Sequence, residues 1–302
     1  MCFVRKMEPA RASPKLDVNL VRRLLGSQFS HWAGLPIRSI LPGGWANRTF
    51  RLGEDMVVRL PSAAAYALQI EKEHQWLPIL RAHLPLPIPT PIALGQPGHG
   101  YPWPWSIYGW LQGKAVRAEQ LSESHELARA LGLFLGALQR VDALGGPPPG
   151  PDNFRLGGSL RIYDAQTRQA ISLLKAGIDA KAAVRIWDEA LAAPHQGPPM
   201  WLHGDVSVGN LLVESGVLAG VIDFGCSATG DPACDLAIGW SSMERRTRHA
   251  FRSVLELDEG AWARGRGWAL WKALVVSAGI APAHRATEKQ SHAALGKILS
   301  DA

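Results

Sequence analysis

The run LPLPIPTPIAL, residues 84–94, places a proline at every second position from Pro85 to Pro91. Proline fixes φ and has no N–H to donate, so this stretch can form neither a helix nor a central strand and is expected to be an extended connector. Regular structure has to form on either side of it. Upstream, DVNLVRRLL starts a helix near Asp17, a capping residue followed by apolar side chains at Val18, Val21, Leu24 and Leu25. IRSILPGGWANRTFRLGEDMVVRLP, residues 37–61, predicts three short strands, one ending near Leu41, one over Thr49–Leu52 and one over Met56–Leu60, with turns at Pro42–Gly44 and Gly53–Asp55. AYALQIEKEHQWLPILRAH, residues 65–83, has helical periodicity, with a kink expected at Pro78. Downstream, PIALG and WSIYGWLQG are strand-like. Beyond Gly113 the pattern turns helical, most clearly in SESHELARALGLFLGALQRV at 122–141, where Ser122 or Ser124 can cap. A β-rich first third giving way to a helical remainder near residue 110 predicts an α+β chain.

At 302 residues, 47% of them hydrophobic and 19% charged, the chain is expected to bury one large core or two packed ones. The formal charge of +6 admits anionic partners, but the basic residues are scattered. The densest cluster, ERRTRHAFR at 244–252, has the spacing of a solvated helix face. Most of the 12 tryptophans sit in apolar company such as WALWKAL at 268–274, the signature of core packing and not of base stacking. No nucleic-acid partner is expected. Cys2, Cys226 and Cys234 have no C-x-x-C spacing, which argues against a disulfide framework or zinc site. No apolar run approaches 18 residues and the first fifteen lack a signal-peptide core, so no membrane partner and a cytoplasmic location are expected.

Into this apolar chain, residues 201–237 (WLHGDVSVGNLLVESGVLAGVIDFGCSATGDPACDLA) concentrate five acids, a histidine and an asparagine. NLLV and VLAGVI flank Ser215–Gly216, a hairpin signal. A turn centred there sets residue 210 opposite about residue 221, so Asn210 and Asp223 emerge at the same open end. A carboxylate and a carboxamide converging off two apolar strands suit a hard divalent cation, with Mg²⁺ the natural candidate because it takes few protein ligands. Asp205, in HGD, lies on the loop feeding that end, where Gly204 can aim it. A second carboxylate beside such a site is suited to orient a hydroxyl and accept its proton during attack on phosphorus. An ordinary capping turn would explain either Asp alone, but not both together with Asn210 at this spacing.

HGDVSVGN and IDFG resemble the catalytic and metal-binding motifs of the aminoglycoside phosphotransferase family, relatives of the protein kinases, whose H-R-D-x-x-x-x-N and D-F-G patterns they match with the Asp-to-Asn spacing intact. GDPACDLA is similar to the stretch that follows in that family. The resemblance spans roughly residues 37–240. It implies a two-lobed kinase-like fold, with a nucleotide-covering lobe over 1–108 and a helical lobe over 109–302 carrying the catalytic loop and acceptor pocket.

It also implies roles. Asp205 becomes the catalytic base or hydroxyl-positioning residue, and Asn210 and Asp223 the Mg²⁺ ligands. His203 either orients the loop or is a packed core histidine. Asp231 is expected to anchor its loop and Asp235 to cap the helix it begins. Gly43 and Gly44 resemble the loop that covers the phosphates, although a plain hairpin turn would also use them. Arg59 takes the strand position where kinases place a lysine, a departure that keeps the charge but alters reach. Glu73, by register, becomes its partner. Ile107, Tyr108 and Trp110 mark the inter-lobe hinge where adenine meets backbone groups; Trp103 and Trp105 either wall the purine or pack in the core. The implied activity is Mg²⁺-dependent transfer of the terminal phosphate of ATP or GTP, the nucleoside triphosphate partner, to a small-molecule hydroxyl acceptor. The alternative is a nucleotide-binding regulator or pseudokinase. An aminoglycoside, as a polycation, would need acids around the acceptor, for which Asp152, Asp188, Glu189, Glu256, Asp258 and Glu259 are available.

Overall fold

In the computed structural model the described residues are 15–40, 46–281 and 285–300. The first element among the described residues is helix α1 (Val18–Gln28), and Asp17 caps it by accepting the Leu20 N–H at 2.9 Å. The strands β1 (Ile37–Ser39), β2 (Asn47–Leu52) and β3 (Met56–Pro61) follow as antiparallel neighbours. Helix α2 (Ala64–Arg81) then leads through the proline run to β4 (Pro91–Gly95) and β5 (Trp105–Gly109). The five strands form one sheet in the order β1-β2-β3-β5-β4. The strand that continues the proline run is thus at an edge, where missing N–H donors are tolerated.

Alternation along the strands sorts this sheet into two faces. Phe50, Leu52, Val58, Leu60, Trp105 and Ile107 are buried against Leu20, Val21, Leu24 and Leu25 of α1, and Trp103 packs on the same cluster. Trp103 and Trp105 are therefore core side chains of the first lobe, and of their two expected roles the purine wall is the one that fails. The residues between them in register, with Arg59 paired to Ser106 and Val57 to Tyr108, belong to the other face. That is the face α2 covers.

A short strand β6 (Lys114–Ala115) begins the helical lobe, followed by α3 (Ala118–Glu123) and α4 (His125–Gln139). Of the two caps expected for the helix within 122–141 it is Ser124 that serves, adopting an extended conformation and accepting the Leu127 N–H at 3.2 Å. Next come α5 (Asp164–Leu174), α6 (Ala180–Ala192), β7 (Met200–Leu202), the hairpin β8 (Leu211–Glu214) and β9 (Val217–Val221), and β10 (Ala228–Gly230). The hairpin extends β6, and β10 pairs with β7. Helices α7 (Ala237–Ser242), α8 (Arg245–Arg252), α9 (Glu259–Ser277) and α10 (Arg285–Ser300) complete the chain. Trp187, Trp201, Trp268 and Trp271 lie in the large core of this lobe, as their apolar neighbours predict. Leu77 and Leu80, at the far end of α2, join that core too.

On α8 the expectation of a solvated face holds for Arg245, Arg246 and His249 but not for Arg248, which is buried with its guanidinium 4.0 Å from the Trp240 ring centre. Cys226 and Cys234 are both buried and unbridged.

Candidate active site

The β8/β9 hairpin delivers its residues as the spacing predicts, with one shift. At the tip Glu214 pairs with Val217 and Val213 with Leu218, but a bulge displaces the ladder so that Leu212 meets Gly220 and Leu211 meets Val221. The extra residue carries Asn210 one place further, opposite Ile222, whose N–H donates to the Asn210 carbonyl at 2.9 Å. Asn210 therefore stands next to Asp223 at the open end. Its amide donates to the Asp205 carbonyl at 2.9 Å, with the Asp205 carboxylate 3.5 Å away. This side chain is one of the fastenings between loop and hairpin.

Behind the loop, the buried Asp235 carboxylate accepts the backbone N–H groups of His203 (2.7 Å) and Gly204 (2.8 Å). Sequence reasoning gave Asp235 to the helix that follows; its carboxylate instead fixes the loop at His203 and Gly204, and no local signal betrays that, since the contact spans about thirty residues. Burial pushes the Asp235 carboxyl up, and the His203 and Gly204 N–H groups oppose this. Gly204 has φ +83°, and a Cβ there would lie 2.4 Å from the Cys226 carbonyl oxygen, so only glycine fits.

His203 is fully buried, with both ring nitrogens engaged. Nδ1 accepts the Asp205 N–H at 3.2 Å and Nε2 donates to the Ile222 carbonyl at 3.0 Å, which fixes the neutral Nε2–H tautomer. It positions the loop against the hairpin. Burial holds its pKa below the ordinary 6.5. Below pH 6.5 the unfolded chain therefore takes up a proton that the folded one refuses, and stability falls with falling pH until the depressed folded value is reached. Urea midpoints measured at pH 7.5 and 5.5 are expected to drop less in His203→Gln than in wild type, the difference amounting to at most about 1.4 kcal/mol per pH unit.

Asp223 sits at the start of the Phe224–Gly225 turn with φ 68°, a left-handed conformation unusual for a side-chain-bearing residue. A Cβ on Gly225 would fall 2.5 Å from the Gln69 side chain of α2, so this turn and the helix are in close contact. From the opposing sheet Arg59 reaches Asp223 at 2.5 Å and Glu73 at 3.2 Å. The Tyr108 hydroxyl donates to the second Glu73 oxygen at 2.5 Å. Burial acts to raise the Asp223 carboxyl, but the charge and hydrogen bond of Arg59 outweigh it and hold it below its ordinary value. For Glu73, deeper and almost fully enclosed, burial wins and the carboxyl is raised despite Arg59. Burial likewise opposes the Arg59 charge, and its two carboxylate neighbours more than compensate.

The other expected positions fall as follows. Gly43 and Gly44 lie outside the described residues. Ile107 points into the first lobe's core and is fully buried, leaving only its backbone to the hinge. Tyr108 contributes its side chain to the Arg59–Glu73 pair, a contact no motif signals. The Trp110 N–H is bonded to the Asp55 carbonyl at 2.8 Å, and its ring lies under the Arg51 guanidinium at 3.7 Å.

The model of the phosphotransferase enzyme family matches residues 38–268, well over half of the chain. The chain belongs to that family. A search of curated proteins found no match. Among solved structures, the GDP and kanamycin complex of APH(2")-IIia superposes with a TM-score of 0.70 at 18% identity, covering 93% of this chain and 97% of that one. The ADP-bound aminoglycoside phosphotransferase APH(2'')-Ib gives 0.61 at 17% identity, covering 94% and 99%. The macrolide 2'-phosphotransferase MphH from Brachybacterium faecium, as apoenzyme, gives 0.58 at 21% identity, covering 92% and 98%. At such identities the likeness is one of fold, and it establishes the two-lobed, kinase-like α+β architecture.

In this phosphotransferase a cavity of about 350 Å³ opens beside Asp205, walled by α3, the 205–208 loop and helices α7, α9 and α10. None of the six acids available for a polycationic acceptor lines it. Asp152 is paired with Lys72 at 2.7 Å, Asp188 with Arg168 at 2.6 Å, and Glu189 with Arg185 at 3.7 Å. Asp258 caps α9, and Glu259 pairs with Arg252. Asp231 anchors its loop as expected, through the buried Arg264 at 2.6 Å.

Proposed function

We propose that this phosphotransferase moves the terminal phosphate of ATP or GTP, with Mg²⁺, onto a hydroxyl of a small molecule. The observation that carries the reading is the continuous chain of contacts from Asp205 through Asn210 to the hairpin end and on to Asp223, Arg59 and Glu73. That chain supports the reading because it links a carboxylate able to accept a proton with two oxygen donors and a fixed cation. Asn210 and Asp223 fit Mg²⁺: they offer oxygen donors, Asp223 is one-third exposed, and Arg59 keeps it ionised. When bound, the ion neutralises charge on the phosphates. Arg59, anchored by Glu73, contacts phosphate oxygens from the sheet side, and the hinge backbone near Ile107–Trp110 borders the base. The acceptor hydroxyl, held by Asp205 in the cavity, attacks the terminal phosphorus. Its proton passes to the Asp205 carboxylate as the bond to the β–γ bridging oxygen breaks and the nucleoside diphosphate leaves.

The neighbouring enzymes, solved with GDP or ADP and one of them with kanamycin, support a nucleotide co-substrate and a small-molecule acceptor. No described helix is long and apolar enough to cross a membrane, in keeping with a cytoplasmic enzyme. The test is incubation with Mg²⁺, ATP or GTP and a broad library of hydroxyl compounds, with products read as an 80-Da gain by mass spectrometry, roughly one added phosphate unit. Nucleotide binding without transfer to any member would favour the pseudokinase instead.

A further inference from the structure

The cavity beside Asp205 is lined on two sides by single helical stripes. Ala269, Lys272, Ala273 and Val276 of α9 follow the i, i+3, i+4, i+7 spacing of one face, and Gln290, Ala293, Ala294 and Lys297 of α10 repeat it. Each stripe carries one charged residue, and in both it is a lysine. Lys272 is the more telling. From Trp268 to Val276 every other residue of α9 is buried. An ammonium group in such company costs solvation unless it meets a counter-charge. Yet among the described residues Lys272 makes no ion pair; its charge reaches the Asp235 carboxyl, which is already occupied by two backbone N–H groups. Besides Asp205, the acid in the lining is Glu119 on α3, which is exposed.

Resting on the phosphotransfer reading, we propose that the acceptor is an anionic hydroxyl compound, a hydroxy acid or sugar phosphate, whose charged group is bound by Lys272 with Lys297 at the cavity rim. Asp205 is committed to the hydroxyl, so a polycation would find one exposed carboxylate and two lysines where it needs a wall of acids. The charge pattern selects against it as well as for an anion.

The experiment compares turnover of matched acceptor sets in the intact protein: hydroxy acids such as gluconate, sugar phosphates, neutral sugars, and polyamines such as kanamycin. Transfer concentrated in the anionic sets is expected. For the best acceptor, Lys272→Gln should raise KM at least tenfold with a smaller effect on kcat, Lys272→Arg should restore much of the loss, and the rim variant Lys297→Gln should raise KM more weakly. A merely structural lysine would instead lower thermal stability and depress turnover of all acceptors alike. Turnover confined to neutral or cationic acceptors, or an anionic acceptor indifferent to both lysine variants, overturns the proposal while leaving phosphotransfer standing. So does Asp205-dependent nucleotide hydrolysis with no anion accepted. If wild type neither hydrolyses nucleotide nor phosphorylates anything, the phosphotransfer reading falls, and this inference with it.

Discussion

Asp205→Asn is expected to lower kcat by about 10²–10⁴-fold, the range a positioned general base contributes, while leaving the affinity for Mg-nucleotide within about twofold of wild type. The asymmetry follows from what the side chain touches. Asp205 faces the acceptor cavity, and its contact with the hairpin is made mainly through its backbone carbonyl to Asn210. An asparagine keeps the size and the loop but cannot take a proton. Single-turnover transfer and nucleotide titration, run on the same preparation, separate the two effects. A variant that retains most of its turnover would remove Asp205 from its role, and one that loses nucleotide affinity in parallel would make it a structural residue.

Asp223→Ala is expected to act on the opposite quantity, weakening Mg-nucleotide binding by on the order of 10²-fold, at the upper end of what disturbing a metal's surroundings costs. Two losses combine. The metal loses its one carboxylate ligand from the hairpin, and Arg59 loses the closer of its two partners, at 2.5 Å against 3.2 Å for Glu73. The metal dependence of nucleotide binding checks the first: titration with Mg²⁺ should show the apparent metal requirement rise steeply. An unchanged Mg²⁺ dependence would disprove the ligand assignment even if turnover fell.

Much of this site is legible in the sequence because its parts are local. Asn210 and Asp223 are thirteen residues apart on one hairpin, and period-two alternation with a Ser-Gly turn suffices to bring them to one end. Pairing of Arg59 with Glu73 is legible only through the family resemblance, whose register selects Glu73 on the helix after the strand. What is not legible depends on contacts far along the chain or on single residues that escape the pattern. The bulge that shifts the hairpin by one place leaves no mark, because an alanine or glycine suits either register. Asp235 belongs to the catalytic loop only through folding that brings residue 235 to residues 203 and 204. Four of the six acids that seemed available for an acceptor are paired with Lys72, Arg168, Arg185 and Arg252, and Asp258 caps α9. Lys272 reads as one charge in a core helix until the cavity beside it is seen.

Helix α2 has a mechanical consequence. Its Glu73 end is tied to the sheet through Arg59, and its Leu77 and Leu80 end is embedded in the other lobe. Pro78 lies in the second of these stretches and cannot donate to the carbonyl of His74, four residues back. The turn without that bond thus lies inside a stretch held by the second lobe, which also holds the helix at Gln69 and Lys72. The missing hydrogen bond makes this the turn at which the helix bends most easily, on a helix that joins the sheet to the second lobe's core.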